Sequence, residues 1–258
     1  MKKTLLGAAI AVLSSSVVYA QDYQFEVGGA YVNGDNGAVD YDGFGLNAQL
    51  HLDKVDTRKG PLNEAAFLDK SSFVDLTWTT SKVDVSGADS VDTVGFGGRF
   101  VTEKNIIIEA GYTDIEDDSA IKLGVGTYIN NNMGVVASYQ VYDADLDALD
   151  QSTLAADLHG VHKLKGETSL AFDAGLAYID NDGDSAYGIS GGADYYLNNA
   201  LSVGAGLALL TADDYDASTI NIRADYFITP IARIGVGFES EGQDADGDAM
   251  NINGSIRF

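Results

Sequence analysis

Apolar and polar residues alternate with a period of two along most of this chain. In the segment that ends "NINGSIRF", Met250, Ile252, Ile256 and Phe258 fall on one face, and Asn251, Asn253, Ser255 and Arg257 on the other. "FGLNAQLHL" places Phe44, Leu46, Ala48, Leu50 and Leu52 together, and "YQFEVGGAYV" does the same with Tyr23, Phe25, Val27 and Tyr31. Ile121, Leu123, Val125 and Ile129 form another such row. Successive side chains of a strand point to opposite faces, so each segment predicts a strand with one greasy and one polar side. About fourteen such strands follow one another.

The connections between them sort into two kinds. "TEKN", "NNN", "KGET", "LNNA" and "ITPI" are short. They alternate with longer acidic stretches: "NGDNGAVD", "DVSGADSVD", "DIEDDS", "YDADLDALDQ", "DNDGDS", "TADDYDAS" and "SEGQDADGDA". Short turns at one end and longer loops at the other, on an even number of antiparallel strands, are the pattern of bacterial outer-membrane barrels. After residue 20 no stretch approaches the ~20 apolar residues of a membrane-spanning helix, and only a closed barrel could otherwise span. The expected fold is all-β, a transmembrane antiparallel up-and-down barrel. A soluble sandwich is the competing architecture, but it would not sort its connections so cleanly by length. A hairpin repeat ("GGRFVTEKN", "VGTYINNNM", "GADYYLNNA", "RADYFITPI") supports the ring, and aromatics near the strand ends predict two interfacial girdles.

"MKKTLLGAAIAVLSSSVVYA" has two lysines, a short apolar run, and small residues Val18 and Ala20 before Gln21. It predicts a cleaved signal peptide at residues 1–20, followed by the barrel at 21–258. Loss of Lys2 and Lys3 leaves 13 basic residues against 39 acidic ones, a charge of −26 instead of −24. That acidity argues against a nucleic-acid partner. An exported chain without cysteine has no disulfide to brace it, so closure of the sheet must do so.

The polar strand faces place Asp75, Arg99, Glu109, Lys122, Asp157, His159, Asp173, Asp194, Arg223, Asp225, Arg233, Glu239 and Arg257 inward, with many glycines between them. Small residues leave room for a narrow water-filled pore, and the same charges could also brace the wall by pairing across strands. Asp180, Asp182 and Asp184, and Asp244, Asp246 and Asp248, crowd oxygen ligands that a hard cation favours. They lack the spacing and distal Glu of a dedicated calcium loop, so solvated loop tips are the favoured reading. Of the three histidines, His51 and His162 lie near strand ends and His159 has only ordinary neighbours in sequence. No nucleophile motif appears, so no catalytic residue and no cofactor is expected. "GPLNEAAFL", the longest non-strand connection, opens on Gly60-Pro61, which can start a short helix because proline suits the first helical position. By strand parity it belongs to the short-turn end, where it could cap the pore or, as slightly favoured, pack beneath the barrel.

With "GPLNEAAFLDKSS" and the terminal Phe258, the chain resembles the porin-like outer-membrane barrels of marine gamma-proteobacteria. The resemblance implies a cell outer-membrane location, no catalytic residues, and contact with outer-membrane lipid and lipopolysaccharide. The aromatic C-terminus resembles the signal read by the barrel assembly machinery. The expected function is passive diffusion of small hydrophilic solutes and ions, with modest cation preference from the acidic loops. The alternative is a non-conducting barrel with a structural or surface-interaction role.

Overall fold

The computed structural model describes residues 22–116, 118–144, 150–181, 184–213 and 215–258. The leader expected at residues 1–20 lies outside them. The strands are β1 (Tyr23–Asp35), β2 (Asp40–Val55), β3 (Phe73–Val83), β4 (Val91–Val101), β5 (Ile106–Ile115), β6 (Asp118–Asn130) and β7 (Met133–Asp143). They continue as β8 (Gln151–Lys163), β9 (Ser169–Asn181), β10 (Asp184–Asn198), β11 (Leu201–Ala212), β12 (Asp216–Thr229), β13 (Ala232–Gln243) and β14 (Gly247–Arg257). Each pairs antiparallel with its sequence neighbours, and β1 pairs with β14 from Glu26↔Arg257 to Asp35↔Asp248, so the fourteen strands close into a barrel. Closure leaves no sheet edge unpaired, the condition for putting backbone into lipid. Residue 258 extends the seam: the Phe258 N–H donates to the Phe25 carbonyl at 2.8 Å, and Gln24 and Phe25 donate to its carbonyl oxygen.

The outer surface carries the apolar face of every strand. Leu123, Val125, Leu176 and Met250 are among the most exposed side chains of the protein, at 60–66%. A water-soluble domain would not expose such a belt; a barrel in hydrocarbon requires it.

Tyr23 departs from the expected alternation. The register of β1 against β2 slips between Tyr23 and Phe25, so Tyr23 turns inward and is almost fully buried while Phe25 remains outside. A bulge of this kind moves one side chain to the opposite face. The acidic stretches also differ from the expected loops. Asp114, Asp118, Asp143, Asp180, Asp184, Asp216 and Asp248 all lie within paired strands, so much of this end is continued hairpin rather than loop. The connections themselves are short because the ladder runs nearly to the tips.

The longest connection outside regular strand pairing is at the opposite end, which also holds both described chain ends. It runs between β2 and β3 over residues 56–72 and contains a 3₁₀ turn (Leu62–Glu64) followed by a one-turn helix, α1 (Ala65–Leu68). Pro61 stands just before the turn in an extended conformation (φ −56°, ψ 140°) rather than inside it. This segment folds into the barrel, not beneath it. Leu62, Ala65 and Leu68 recur every third residue and are all buried. Left below the barrel they would face water; inside, they meet apolar side chains of the wall. Each of the three buried apolar clusters among the described residues includes side chains of this segment: Leu68 with Val161, Ala171 and Tyr196; Ala65 with Tyr23 and Val55; Phe67 against Ile107, Tyr128 and Val136. Burying a leucine or phenylalanine contributes about 1.5–3 kcal/mol.

Candidate functional site

The inserted segment is a plug tied to the wall on nearly every side. The Leu62 N–H donates to the carbonyl of Asn199 in the β10–β11 turn at 2.8 Å. Its own carbonyl accepts from Arg257 Nη1 of β14, also at 2.8 Å. Asn63 Oδ1 accepts from Arg233 of β13 at 3.3 Å. Glu64 accepts from the Tyr196 hydroxyl of β10 at 2.8 Å and, through its other oxygen, meets His159 Nε2 of β8 at 2.9 Å. The Tyr128 hydroxyl of β6 donates to the Phe67 carbonyl at 3.1 Å, and Lys70 donates to Asn105 and Asn131 in the turns below β5 and β7. The base of the plug is held to itself: Lys59 pairs with Asp69, and Asp69 Oδ2 accepts the Asp56 N–H at 2.9 Å. Beside it, the hydrogen bond from Arg58 holds the half-buried Asp56 carboxyl below the usual carboxylate range.

His159 therefore has far from ordinary neighbours. Its Nδ1 lies 2.6 Å from Asp173 Oδ1 while Nε2 faces Glu64, and the Phe67 ring packs edge-on at 4.3 Å. An imidazole that donates to two carboxylates carries a proton on each nitrogen and hence a positive charge. It clamps the plug to the wall with charge-assisted bonds. Nothing local in the sequence announces this, because Glu64 is 95 residues away.

A ring of inward aromatics surrounds the plug. In "DYYLN" Tyr195 points out and Tyr196 in; in "DYFIT" Tyr226 points out and Phe227 in. Tyr23 and Phe227 sandwich the Arg257 guanidinium, with ring centres 4.6 and 4.5 Å away. The doubled aromatics were a readable signal: when neighbours are both aromatic, one of them faces the lumen. Only the outward member fits the girdle expected from sequence.

The charged residues expected to point inward divide into paired and unpaired groups. Arg99 bonds Glu109 on the next strand at 2.6 Å. Arg223 meets Asp194 with two nitrogens, at 2.8 and 2.6 Å. Arg233 bonds Asp225 at 3.1 Å, and Arg257 bonds Glu26 at 2.7 Å. Asp173 is taken by His159. Asp75, Lys122 and Asp157 make no ion pair or side-chain hydrogen bond among the described residues, and Lys122 and Asp157 are exposed within the barrel. Glu239 lines a cavity with Arg223 and Asp225.

The plug leaves open space on two sides. A cavity of about 470 Å³ lies over Phe67 and is lined by Arg99, Lys122, Asp157, His159 and Asp173. Another of about 590 Å³ lies beside Asn63, against Arg223, Arg233, Asn251 and Asn253. Both are polar-walled and open inside the barrel.

The aspartates considered for a cation do not converge. Among the described residues no three His, Asp or Glu side chains are grouped as a metal site. Asp244 accepts the Asp216 N–H at 2.7 Å, and Asp246 packs at Gly37 in the neighbouring hairpin. Asp180 and Asp184 lie opposite Ser185 and Asn181 in the β9–β10 ladder, Asp248 lies opposite Ser240 and Asp35, and Asp182 lies outside the described residues.

Over residues 1–144 and 138–258 the sequence matches the family described as "Putative general bacterial porin". No curated protein sequence matches the chain. Among solved structures, the outer membrane protein Omp33 of Acinetobacter baumannii superposes with a TM-score of 0.70 at 24% identity, covering 93% of this chain and 100% of that one. A bacterial polysaccharide outer membrane secretin superposes at 0.55 with 11% identity, covering 92% and 99%. At these identities the likeness is one of fold.

Proposed function

For this chain, which belongs to the general bacterial porin family, we propose passive diffusion of small hydrophilic solutes and ions across the outer membrane, with modest selectivity for cations. Family and fold support a porin-like outer-membrane channel. The observation that carries the finer reading is the division of charge along the barrel axis. The plug end is largely neutralised by ion pairs, while the opposite rim holds Asp35, Asp40, Asp84, Asp114, Asp118, Asp143, Asp180, Asp184, Asp216, Glu241 and Asp248, with Lys82 as the nearby base. A rim of one sign concentrates counter-ions at the mouth. Arg99, Lys122, Arg223, Arg233 and Arg257 further in keep the preference modest.

The acidic rim faces outward and the plug faces the periplasm, the side of short turns and chain ends in such barrels. Residues 1–20 serve as a cleaved leader, and the strand ending at Phe258 is what the assembly machinery reads. Lipid covers the apolar belt, and lipopolysaccharide meets the rim. The plug narrows the path to small solutes, and residues such as Asp75, Lys122, Asp157 and Asp173 line it. The plug's many bonds also favour a second reading, a barrel that does not conduct. The test is a reversal potential in a planar bilayer under a potassium chloride gradient. A cation-selective sign is expected that weakens with salt, as the Debye length shrinks from about 30 Å at 0.01 M to about 3 Å at 1 M. An anion-selective sign removes the rim from the mechanism, and absence of any conductance steps supports the second reading.

A further inference from the structure

Three opposite-charge couples on the barrel wall differ in how many glycines separate them across the strands. Arg99 and Glu109 are direct cross-strand neighbours and bond each other. Asp194 and Arg223 are separated by one strand, with Gly204 between them in the row (Asp194↔Gly204, Gly204↔Arg223), and the arginine lies across the glycine to make its two bonds. Asp75 and Lys122 are separated by two strands and two glycines: Asp75↔Gly97, Gly97↔Gly111, Gly111↔Lys122. Three strand spacings put their Cα atoms roughly 14 Å apart along the wall. The two do not meet, and neither has another partner among the described residues. Both line one recess of about 170 Å³, floored by Gly97 and Gly111 with Thr77 and Gln140 at its sides.

We infer that this recess is a binding subsite for a small zwitterion of the α-amino acid class, its ammonium on Asp75 and its carboxylate on Lys122. Glu109, the carboxylate diagonal to Lys122 across the β5–β6 ladder, is already bonded to Arg99, so Lys122 is left without a brace. Here the gap is one glycine too wide for direct pairing, and a ligand bearing both charges closes it. A simple anion or cation would satisfy only one rim. The floor has no side chains, so a solute can settle against the backbone, and the flanking hydroxyl and amide supply further hydrogen bonds. The subsite lies along the lumen wall on the rim side of the plug and rests on the reading of the lumen as a solute path.

The test is titration of ¹³C-labelled glycine into the detergent-solubilised barrel, followed by line broadening, with single-channel recording on the same preparation. Saturable binding is expected, stronger than for acetate or methylammonium, each of which bears one of the charges. Asp75→Asn and Lys122→Met should each weaken it about tenfold, the loss of one charge-assisted hydrogen bond. The double variant Asp75→Lys with Lys122→Asp should recover binding, because a zwitterion can enter reversed. Heat-modifiable gel mobility checks that each variant is folded. Binding without conductance steps upholds the subsite and removes the channel reading. Steps without saturable binding overturn the subsite alone. Acetate or methylammonium binding as well as glycine, or single variants that bind like the parent, also overturns it.

Discussion

The two ends of this barrel are built on opposite principles. At the plug end, Tyr23, His51, Val55, Tyr196, Phe227 and Arg257 are buried, charges are matched, and a connection from β2 to β3 supplies a core. At the acidic end the hairpins stand as bare ladder. Asp35 faces Asp40 on one side and Asp248 on the other. Like charges directly opposite each other repel, so this charge pattern costs the rim stability even though single aspartates such as Asp244 accept backbone N–H groups there. A barrel needs only its closed ladder and its lipid face to stand. The packed end therefore does something the ladder alone does not, namely hold a plug in place, and the acidic end carries charge for what approaches it.

The sharpest break in this contrast is Arg257→Ala. It leaves Glu26 without its partner in a buried setting and frees the Leu62 carbonyl and the faces of Tyr23 and Phe227. Removing one member of a buried pair typically costs about 3–5 kcal/mol, read as a lower urea midpoint for the barrel refolded in lipid. Leu123→Arg comes next, at about 2–4 kcal/mol for an arginine near the bilayer midplane, whereas Lys122→Ala on the opposite face should be nearly neutral. Equal tolerance at these two adjacent positions would reverse the assignment of inside and outside.

Glu64→Ala should have a smaller and more local effect. It leaves the Tyr196 hydroxyl and His159 short of a partner, about 1–3 kcal/mol. Hydrogen exchange at residues 62–68 should speed up while the strand ladder stays protected. Uniform protection would mean that the clamp does not hold the plug. The smallest expected change is at the rim. Asp35→Asn relieves two cross-strand repulsions and should stabilise by about 0.2–1 kcal/mol at low salt, with the gain fading at 1 M salt. A loss of stability there would show the rim to be structural after all.

Strand count and lipid face were legible in the sequence because each rests on a local period, whereas the acidic stretches read as long loops are largely paired ladder. The plug was half legible. "GPLNEAAFL" was visible as a helical interruption at the right end, but its entry into the lumen depends on partners 69 to 195 residues away, such as Val136, His159, Tyr196 and Arg257. No local pattern encodes such contacts. Tyr23 misled because a bulge changes parity without changing composition. Which of the charges on the polar strand faces pair with one another was not legible. That depends on how many glycines intervene across strands, and therefore on the register.

The most direct test concerns the plug. A variant in which residues 58–69 are replaced by a short Gly-Ser turn should be compared with the parent chain by single-channel recording in planar bilayers. Small, well-defined steps are expected for the parent and several-fold larger ones for the variant, with the cation-selective sign kept, since the rim is untouched. Equal conductance in the two proteins, or silence in both, would contradict a channel narrowed at its inner mouth by residues 56–72.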